Sequence, residues 1–346
     1  MSRWSVVLAG GVGSRFWPLS TPERPKQLLP LVTEKPLLVD TVDRLRPIVD
    51  AAHTLVLTNA SLTRKIRALI KDVPRENIIA EPEPMGTAAA LTWAALVIQE
   101  RDGPDATMLC VHADWAIGDD KRFRETLLTA EKVAIKNRSL VTVGIVPTRP
   151  DPGFGYIQPG ESVSGKASRV KRFVEKPDRA RAEEMRNDGY LWNSGIFVWR
   201  VGDFLDEVKE HSPELAVALR KGANGGAAKF FGGVSKRVSV DVGVLERSKK
   251  VMVVPGEFGW DDIGTWAALA RVREKDKSGN VTTGDAHLLD SADNVVHVDS
   301  GQVVMYGVSD LVVVTKDGLT LVTTTDKASD LKRLIESLSK TDLGKS

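Results

Sequence analysis

Long apolar runs, cysteine pairs and a strong net charge are all missing from this sequence of 346 residues. Its single cysteine, Cys110, excludes an internal disulfide and most thiolate metal sites, which agrees with a reducing cytoplasm. No run approaches the roughly 18 apolar residues of a membrane span, and the first residues lack a secretory signal pattern, so we expect a cytoplasmic protein without a membrane partner. The formal net charge of +2 gives no support to nucleic acid binding.

The composition is otherwise that of a globular protein, with 42% hydrophobic and 27% charged residues. Buried strands are predicted at 6–9, 54–58, 77–80, 107–111 and 140–146, and helices at 37–49, 62–70, 87–99 and 123–137. Strands separated regularly by helices imply crossover connections and a mainly parallel sheet that is covered on both faces. The sequence therefore predicts an α/β fold, with a Rossmann-like, three-layer arrangement around a mixed, mainly parallel sheet.

Beyond residue 277 the pattern changes to period-two strands separated by turns. These strands are predicted at 286–289, 294–298, 303–308, 311–315 and 319–323, before a terminal helix at 328–338. We therefore predict a large domain over 1–276 and a small β-rich domain over 277–346, in which the tail after Lys340 is frayed. A fragment of a β-sandwich is one architecture that fits the small domain.

The first predicted strand ends in three glycines within four positions, Gly10, Gly11 and Gly13. Glycine lets the backbone turn sharply, and successive N–H groups in such a loop form a concavity that binds anions. Arg15 and Lys26 add positive charge nearby in the sequence. The pattern is typical of a phosphate-binding loop, and a glycine-rich turn without a ligand is the alternative.

Two common glycine-loop templates do not fit this stretch. A Walker loop needs Gly-Lys followed by Ser or Thr, whereas Gly13 is followed by Ser14 and Arg15. A dinucleotide-binding fingerprint needs a third glycine opening a helix, whereas this chain reaches Phe16.

The pattern Gly-Gly-x-Gly-x-Arg-x-x-Pro-Leu-Ser at 10–20, followed by Pro-Lys-Gln at 25–27, resembles the signature of sugar-1-phosphate nucleotidylyltransferases. With Lys-Gln at its end, it is most similar to the mannose-1-phosphate guanylyltransferases. The resemblance implies a nucleotidyltransferase domain followed by a small left-handed β-helix-like domain that makes dimer contacts. It also implies nucleotide contacts from Leu8, Ala9, Gly10, Gly11, Gly13, Ser14, Glu81, Pro82, Gly86 and Thr87.

The base-recognition segment of that family, Glu-Pro-x-x-Arg-Asn-Thr-Ala, is similar to residues 81–88. Met85 and Gly86 replace the Arg-Asn pair and remove two hydrogen-bonding side chains, which leaves the identity of the base open. Thr87 also has the character of a helix N-cap, and this structural role is compatible with nucleotide binding.

Two carboxylates are predicted to hold Mg²⁺, which takes few protein carboxylates together with phosphate or water oxygens. Asp114 follows a predicted strand, in the position of the aspartate of the family's Pro-Ala-Asp-His segment. Asp262 matches the carboxylate of the family's Trp-x-Asp-x-Gly-x-Trp motif, where Asp261 is the variable residue. His112 is not assigned as a ligand, because an isolated histidine is more often structural.

Four further segments resemble the sugar-binding motifs of the family, at 153–157, 173–177, 192–197 and 238–246. Each also reads as an ordinary strand, turn or surface ion pair when taken alone. The resemblance assigns sugar-phosphate contacts to Gly155, Tyr156, Glu175, Lys176, Asn193 and Asp241.

The implied reaction is transfer of GMP from GTP to α-D-mannose 1-phosphate, which forms GDP-mannose and pyrophosphate by Mg²⁺-assisted in-line attack on the α-phosphate. Arg15 and Lys26 would stabilise the phosphate charge, and Asp114 and Asp262 would hold the metal in a homodimeric enzyme. Two alternatives stay open: a relative that uses dTTP, UTP or CTP or another hexose 1-phosphate, and a non-catalytic subunit that binds a nucleotide sugar. Retention of all four charged residues favours an enzyme.

Overall fold

The computed structural model describes residues 1–11 and 14–338, so Gly13 and the predicted frayed tail lie outside the described residues. The chain divides into two compact units. The first comprises Met1–Gly10, Thr41–Ala113 and Asp119–Trp260, and the second comprises Gly11–Asp40, Asp114–Gly118 and Asp261–Ser346. The predicted division of the chain at residue 276 stays a prediction.

A nine-stranded sheet forms the centre of the first unit. Its strands are β1 (Arg3–Leu8), β2 (Thr54–Asn59), β3 (Ile78–Glu81), β4 (Thr107–His112), β5 (Leu140–Ile145), β6 (Tyr156–Ser164), β7 (Ala167–Val174), β8 (Leu191–Arg200) and β9 (Val251–Gly256). They lie in the order β3-β2-β1-β4-β8-β5-β9-β7-β6. The first four strands are parallel, as are β5 and β9, whereas β8 runs antiparallel to both β4 and β5. The prediction of a mixed α/β sheet is confirmed.

Helices follow these strands along the chain. They are α1 (Leu37–Leu45), α2 (Thr63–Leu69), α3 (Thr87–Asp102), α4 (Asp120–Asn137), α5 (Arg179–Asn187), α6 (Val201–His211), α7 (Ala216–Lys221) and α8 (Gly226–Phe231). Alternate residues of a strand point to opposite faces, so each face of the sheet needs its own cover. Trp4, Val6 and Leu8 pack in a core with α3, whereas α4 buries Phe123 and Leu127 and contacts β4, β5, β8 and β9.

Helix α3 is apolar on all sides along its buried length. Its alanines and Leu91 pack in the core between the sheet and the neighbouring helices. Cys110 lies fully buried in the same core, and burial raises the pKa of its thiol well above the ordinary value. Within the described residues, no helix combines the length and the apolar character needed to span a membrane.

The second unit contains a small coil of parallel strands. The elements are α9 (Trp266–Val272), β10 (Val281–Thr283), β11 (Ala286–Leu289), β12 (Val295–Val298), β13 (Val303–Tyr306), β14 (Leu311–Lys316), β15 (Leu319–Thr324) and α10 (Lys332–Leu338). Strands β10, β12 and β14 pair in parallel, and so do β11 and β13, while β15 joins β14 antiparallel. Successive parallel rungs are typical of a β-helix, and they exclude the β-sandwich alternative.

Buried asparagines connect the rungs of this coil. Asn294 is fully buried, and its Nδ2 donates to Oδ1 of Asn280 at 3.0 Å and to the carbonyl of Val308 at 3.1 Å. Its own Oδ1 accepts a hydrogen bond from the backbone N–H of Leu311 at 3.0 Å. The side-chain amide of Asn294 therefore satisfies two backbone groups, of Val308 and Leu311, that would otherwise be left without these hydrogen bonds in the core.

Candidate functional site

Lys26 connects two of the predicted catalytic carboxylate residues. It begins a short 3₁₀ helix, Lys26–Leu28, and its side chain is only 8% exposed. Its Nζ donates to Oδ2 of Asp114 at 3.2 Å and to the backbone carbonyl of Asp262 at 2.5 Å. A buried ammonium is costly unless it is paired and hydrogen-bonded, so these contacts hold the cation in one place.

Asp261 organises the turn that presents Asp262. Its buried carboxylate accepts two hydrogen bonds from the guanidinium of Arg271, at 2.7 and 3.0 Å, and one from the backbone N–H of Ile263 at 2.9 Å. Ile263 has a φ of 44°, a strained backbone conformation for a β-branched residue. Asp261 therefore has a structural role, and Arg271 is a contributor that the sequence motif does not indicate.

Electrostatics around Asp262 favour a bound cation. Burial raises the pKa of its carboxyl, the carboxylates of Asp261 and Asp114 raise it further, and the charges of Lys26 and Arg271 oppose the shift. Asp114 and Asp262 supply hard oxygen donors in a place where burial disfavours the charged form of Asp262, which a bound cation would stabilise. This donor set fits Mg²⁺.

Gly264 leaves room beside the same carboxylate. A Cβ built there would lie 3.0 Å from Oδ2 of Asp262 and 3.5 Å from Nη1 of Arg15. The exposed Arg15, in the 3₁₀ helix Ser14–Phe16, thus brings its guanidinium to the same neighbourhood. The structure brings together all four predicted catalytic residues, Arg15, Lys26, Asp114 and Asp262.

Side chains outside the glycine motif hold the ends of the glycine loop. Leu8 and Ala9 are buried, and the carbonyl of Gly10 accepts a hydrogen bond from Nδ2 of Asn59 at 3.1 Å. The carbonyl of Gly11 accepts one from Nε2 of Gln27 at 2.9 Å. The sequence analysis did not select Asn59, although it is the last residue of β2 and ligands bind at the carboxyl ends of parallel strands.

Glu81 ends β3 with its side chain buried, whereas Pro82 is exposed. Burial raises the pKa of the Glu81 carboxyl to about 7, although the charge of Arg237 opposes the shift. A Cβ built on Gly10 would lie 3.5 Å from Oε1 of Glu81. The carboxyl therefore faces the glycine loop from the end of a neighbouring strand.

Gly86 has a backbone conformation that suits only glycine. Its φ is 91°, and a Cβ there would lie 2.3 Å from the carbonyl oxygen of Val238. Gly86 occupies the N-cap position of α3, so the expectation of an N-cap at Thr87 is wrong by one residue. Thr87 is instead the first helical residue, and its Oγ1 accepts a hydrogen bond from the N–H of Val240 at 2.9 Å.

A β-bulge in β8 positions Asn193. The pairing of β8 with β5 slips between Val143 and Gly144, and Gly195 has a φ of 73°. Bulges commonly re-aim side chains next to functional sites. The side-chain Nδ2 of Asn193 donates to Oδ1 of Asp241 at 2.8 Å. The backbone N–H of Asn193 donates to the carbonyl of Gly155 at 2.8 Å.

Two carboxylates, those of Asp241 and Glu175, lie near Asn193. Asp241 begins a π-helix, Asp241–Leu245, and burial raises the pKa of its carboxyl, with Glu175 raising it further and Asn193 opposing. A Cβ built on Gly155 would lie 3.0 Å from Oε2 of Glu175, so the glycine makes space for that carboxylate. Glu246, which the sequence motifs do not indicate, also has a raised pKa through burial and through Asp241 and Glu175.

Lys176 and Tyr156 differ in their availability to a ligand. The side chain of Lys176 is 63% exposed, its ammonium lies 3.1 Å from Oε1 of Glu175, and Lys176 has a φ of 42°. Tyr156 is fully buried, and its hydroxyl bonds to the backbone N–H and carbonyl of Asp151, each at 3.1 Å. The side chain of Tyr156 therefore has a structural role, and only its main chain can serve a sugar.

Glu207, Glu210 and His211 on α6 form a separate acidic group within the described residues. Glu207 is already bonded to Nζ of Lys250 at 2.7 Å and to Oγ of Ser248 at 2.5 Å. The group is thus part of an ion-pair network.

Comparison with known proteins shows two family matches. A family described as nucleotidyl transferase matches residues 4–279. A second family, described as MannoseP isomerase/GMP-like beta-helix domain, matches residues 284–338.

Individual relatives match nearly the whole chain. The mannose-1-phosphate guanylyltransferase of Salmonella muenchen is 35% identical over 347 residues, which cover 96% of this chain and 72% of the relative. The xanthan biosynthesis protein XanB of Xanthomonas campestris is 36% identical, with 96% of this chain and 72% of the relative covered. A crystal structure described as mannose-1-phosphate geranyltransferase from Thermus thermophilus has a TM-score of 0.89 and 34% identity, and the match covers 98% of this chain and 100% of that one.

The position of Gly86 predicts a difference between two substitutions at the ends of α3. Gly103 also has a positive φ, of 80°, but a Cβ built there would meet no atom within 4 Å among the described residues beyond its own chain neighbours and helix backbone. Gly103→Ala should destabilise the fold by about 1–3 kcal/mol through backbone strain alone. Gly86→Ala should cost about 1–3 kcal/mol more because it also meets Val238. Urea denaturation measures both, and equal losses would contradict the close approach of Val238 to Gly86.

The pKa of Glu81 predicts a pH-dependent stability. Because the folded pKa of about 7 lies above the ordinary 4.5, the unfolded chain releases the proton first as pH rises. The free energy of unfolding should therefore fall between about pH 4.5 and 7, by on the order of 3 kcal/mol from this group. Glu81→Gln should remove this contribution in denaturation curves across that range, whereas Glu83→Gln, at an exposed carboxyl nearby, should retain it. Identical slopes for all three proteins would rule out the shift.

Proposed function

The chain belongs to the nucleotidyl transferase family, and from that premise we propose that it transfers GMP from GTP to α-D-mannose 1-phosphate, forming GDP-mannose and pyrophosphate. The guanylyltransferase relatives support this choice of substrates. The observation that carries the proposal is the buried Lys26 ammonium, bonded to Asp114 and to the backbone of Asp262.

The attacking group in this reaction needs no activation by the protein. The phosphate oxygen of the sugar phosphate is already ionised at neutral pH, and it displaces pyrophosphate from the α-phosphorus in line. Enzymes of phosphoryl transfer act mainly by positioning their substrates and stabilising charge. A site built from cations and carboxylates suits this chemistry.

Lys26 and Arg15 have separate roles in the proposal. Lys26, fixed by its two hydrogen bonds, stabilises the α-phosphate as negative charge shifts toward the leaving group. Arg15 is exposed and longer in reach, and it holds the triphosphate tail and the departing pyrophosphate together with the backbone N–H groups of Gly10 and Gly11. Gly13 and Ser14 complete the predicted phosphate loop.

Enzymes of this family generally use a divalent metal. We assign Asp114 and Asp262 as the residues that would hold Mg²⁺. Burial and the carboxylate of Asp114 both raise the pKa of Asp262, and a bound cation would stabilise its charged form. A bound Mg²⁺ supplies neutralisation of phosphate charge and a fixed orientation for the reacting groups. Arg271 and Asp261 keep the Asp262 turn in place for that purpose.

The sugar phosphate is assigned to the group around Asn193. Glu175 and Asp241 accept hydrogen bonds from sugar hydroxyls, and Asn193 both donates and accepts. Lys176 is a mobile cation that suits the phosphate. Gly155 and the main chain of Tyr156 allow the backbone to approach the sugar closely.

We propose that Glu81 recognises the base, and that Pro82, Gly86 and Thr87 form the binding segment around it. An ionised carboxylate accepts from the two adjacent N–H donors on the edge of guanine, whereas uracil, thymine and cytosine do not offer that pair. The absence of the Arg-Asn pair places most of this recognition on Glu81. Homodimerisation and a cytoplasmic location stay predictions.

Pyrophosphate release across GTP, ATP, CTP, UTP and dTTP, each with several hexose 1-phosphates, tests the proposed function. We expect the highest kcat/KM with GTP and mannose 1-phosphate. A preference for another nucleotide or sugar would identify a different transferase of the family. No release with any pair, combined with tight binding of GDP-mannose, would favour the regulatory subunit.

Removal of one metal carboxylate tests the metal site. Asp262→Asn should lower kcat by at least about 100-fold, the scale of one removed charge-stabilising group, while leaving the thermal denaturation profile close to that of the parent. Asp290→Asn, at an exposed position in the β-helix, is the matched control and should retain full activity. Near-normal Mg²⁺-dependent turnover in Asp262→Asn would remove the metal assignment.

Lys176→Ala tests the sugar-phosphate assignment. We expect the KM for mannose 1-phosphate to rise by about tenfold or more, the value of one charge-assisted hydrogen bond, with little change in the KM for GTP. Lys166→Ala, which removes another exposed lysine, should leave both constants unchanged. An unchanged requirement for sugar phosphate in Lys176→Ala would reject this role.

A further inference from the structure

Side chains at the end of β2 bond to the backbone carbonyls at the start of the glycine loop. The carbonyl of Ala9 accepts a hydrogen bond from Oγ1 of Thr58 at 3.1 Å, and that of Gly10 accepts one from Nδ2 of Asn59 at 3.1 Å. Thr58 is fully buried, and Asn59 is the last residue of the strand. Two consecutive side chains therefore hold two consecutive carbonyls, and all four residues lie within the first unit.

These bonds fix the direction of the backbone N–H groups that follow. In a planar trans peptide, the carbonyl and the N–H of the next residue point in opposite directions. The N–H groups of Gly10 and Gly11 therefore both point away from the side chains of Thr58 and Asn59. Neither N–H donates a hydrogen bond to another group in residues 1–11 and 14–338. Successive N–H groups of this kind form a concavity that binds anions.

Glycine makes such a constraint necessary. Gly10 and Gly11 have no Cβ, so the peptide between them can rotate at little steric cost. A rotated peptide would present the carbonyl oxygen of Gly10, which repels a phosphate, in place of the N–H of Gly11. The hydrogen bond from Asn59 opposes this rotation, because rotation would turn the carbonyl away from its donor.

The side chain of Asn59 is directed to the loop and not to its own helix. Asn59 occupies the N-cap position of the 3₁₀ helix Ala60–Leu62, where an asparagine side chain commonly accepts from a backbone N–H, but it makes no capping bond. A Cβ built on Gly10 would lie 3.8 Å from Oδ1 of Asn59. The amide therefore lies against the loop, and its bond to the Gly10 carbonyl replaces a local one.

We propose that Asn59 is a positioning residue for nucleotidyl transfer, and that Thr58 supports the peptide before it. Asn59 holds the peptide between Gly10 and Gly11 so that the Gly11 N–H donates to a phosphate of the nucleotide. Hydrogen bonds to an ionised acceptor are stronger than those between neutral groups, so the orientation of one N–H matters for affinity. This inference rests on the proposed function, in which the loop N–H groups bind the triphosphate.

The chain offers a matched control for each of these side chains. Thr54 is also buried in β2, and its Oγ1 donates to the carbonyl of Asp50 at 2.9 Å. Asn77 is buried just before β3, and its Nδ2 donates to the carbonyl of Ala52 at 2.8 Å. Both bonds lie where β2 and β3 begin, at the opposite end of these strands from the glycine loop.

Calorimetric titration of the full chain with inorganic pyrophosphate in the presence of Mg²⁺ tests the proposal. Asn59→Ala should weaken binding by about tenfold, and the nearly isosteric Thr58→Val by about fivefold, because each leaves one N–H donor without a fixed orientation. Asn77→Ala and Thr54→Val should bind pyrophosphate like the parent, although each loses a similar hydrogen bond.

Steady-state kinetics separate positioning from a structural role. Asn59→Ala should raise the KM for GTP by about tenfold and leave the KM for mannose 1-phosphate unchanged, whereas a general loss of stability would affect both substrates. Pyrophosphate carries neither base nor sugar, so its binding tests the inference even where the release assay identifies another nucleotide or sugar. Equal affinity for pyrophosphate in the parent, Asn59→Ala and Thr58→Val would overturn the proposal. So would equal losses in all four variants, or no binding to the parent at millimolar pyrophosphate.

Discussion

A buried ammonium must find partners, and in this chain that requirement brings the reactive groups together. Lys26 bonds to the carboxylate of Asp114 and to the backbone of Asp262, two residues that are far apart in sequence. The Asp262 turn is held in turn by Arg271 through Asp261, with Ile263 in a strained conformation. The surrounding hydrogen bonds hold Ile263 in this conformation. The position of the Lys26 ammonium therefore depends on the contacts that hold the Asp262 turn.

The same principle of local constraint explains the departure at Gly86. In the family signature an asparagine stands there, but in this chain the carbonyl of Val238 occupies the space that its Cβ would need. The segment that follows contributes the N–H that bonds to Thr87. The chain thus has close backbone packing where the family signature has a side chain, and for this reason the proposal assigns base recognition mainly to Glu81.

The sequence predicted those features that depend on periodicity and on motif order. Alternating apolar strands and helices indicated the α/β sheet, and the regular short strands indicated the β-rich end. Motif matching identified Lys26, Asp114 and Asp262, which the structure places together. The family and the enzyme class are confirmed by the relatives, while the roles of individual residues stay predictions.

Other features were beyond sequence reasoning because they arise from tertiary contacts. Helices α5 to α8 were not predicted; several are short, and α5 is mostly polar. Neither the bulge that aims Asn193 nor the pairing of Arg271 with Asp261 has a local signal, since each depends on a partner elsewhere in the chain. Tyr156 matched a sugar motif, but its hydroxyl is used by Asp151.

The asparagines of the β-helix fix the register between its successive rungs. Asn294 bonds downward to Asn280 and upward to the backbone of Val308 and Leu311, so each rung is completed only by the next one in register. An insertion shorter than a full rung would place the wrong residue over each amide. The β-helix can therefore gain or lose length only by whole rungs, because its interior hydrogen bonds require each rung to be in register with the next.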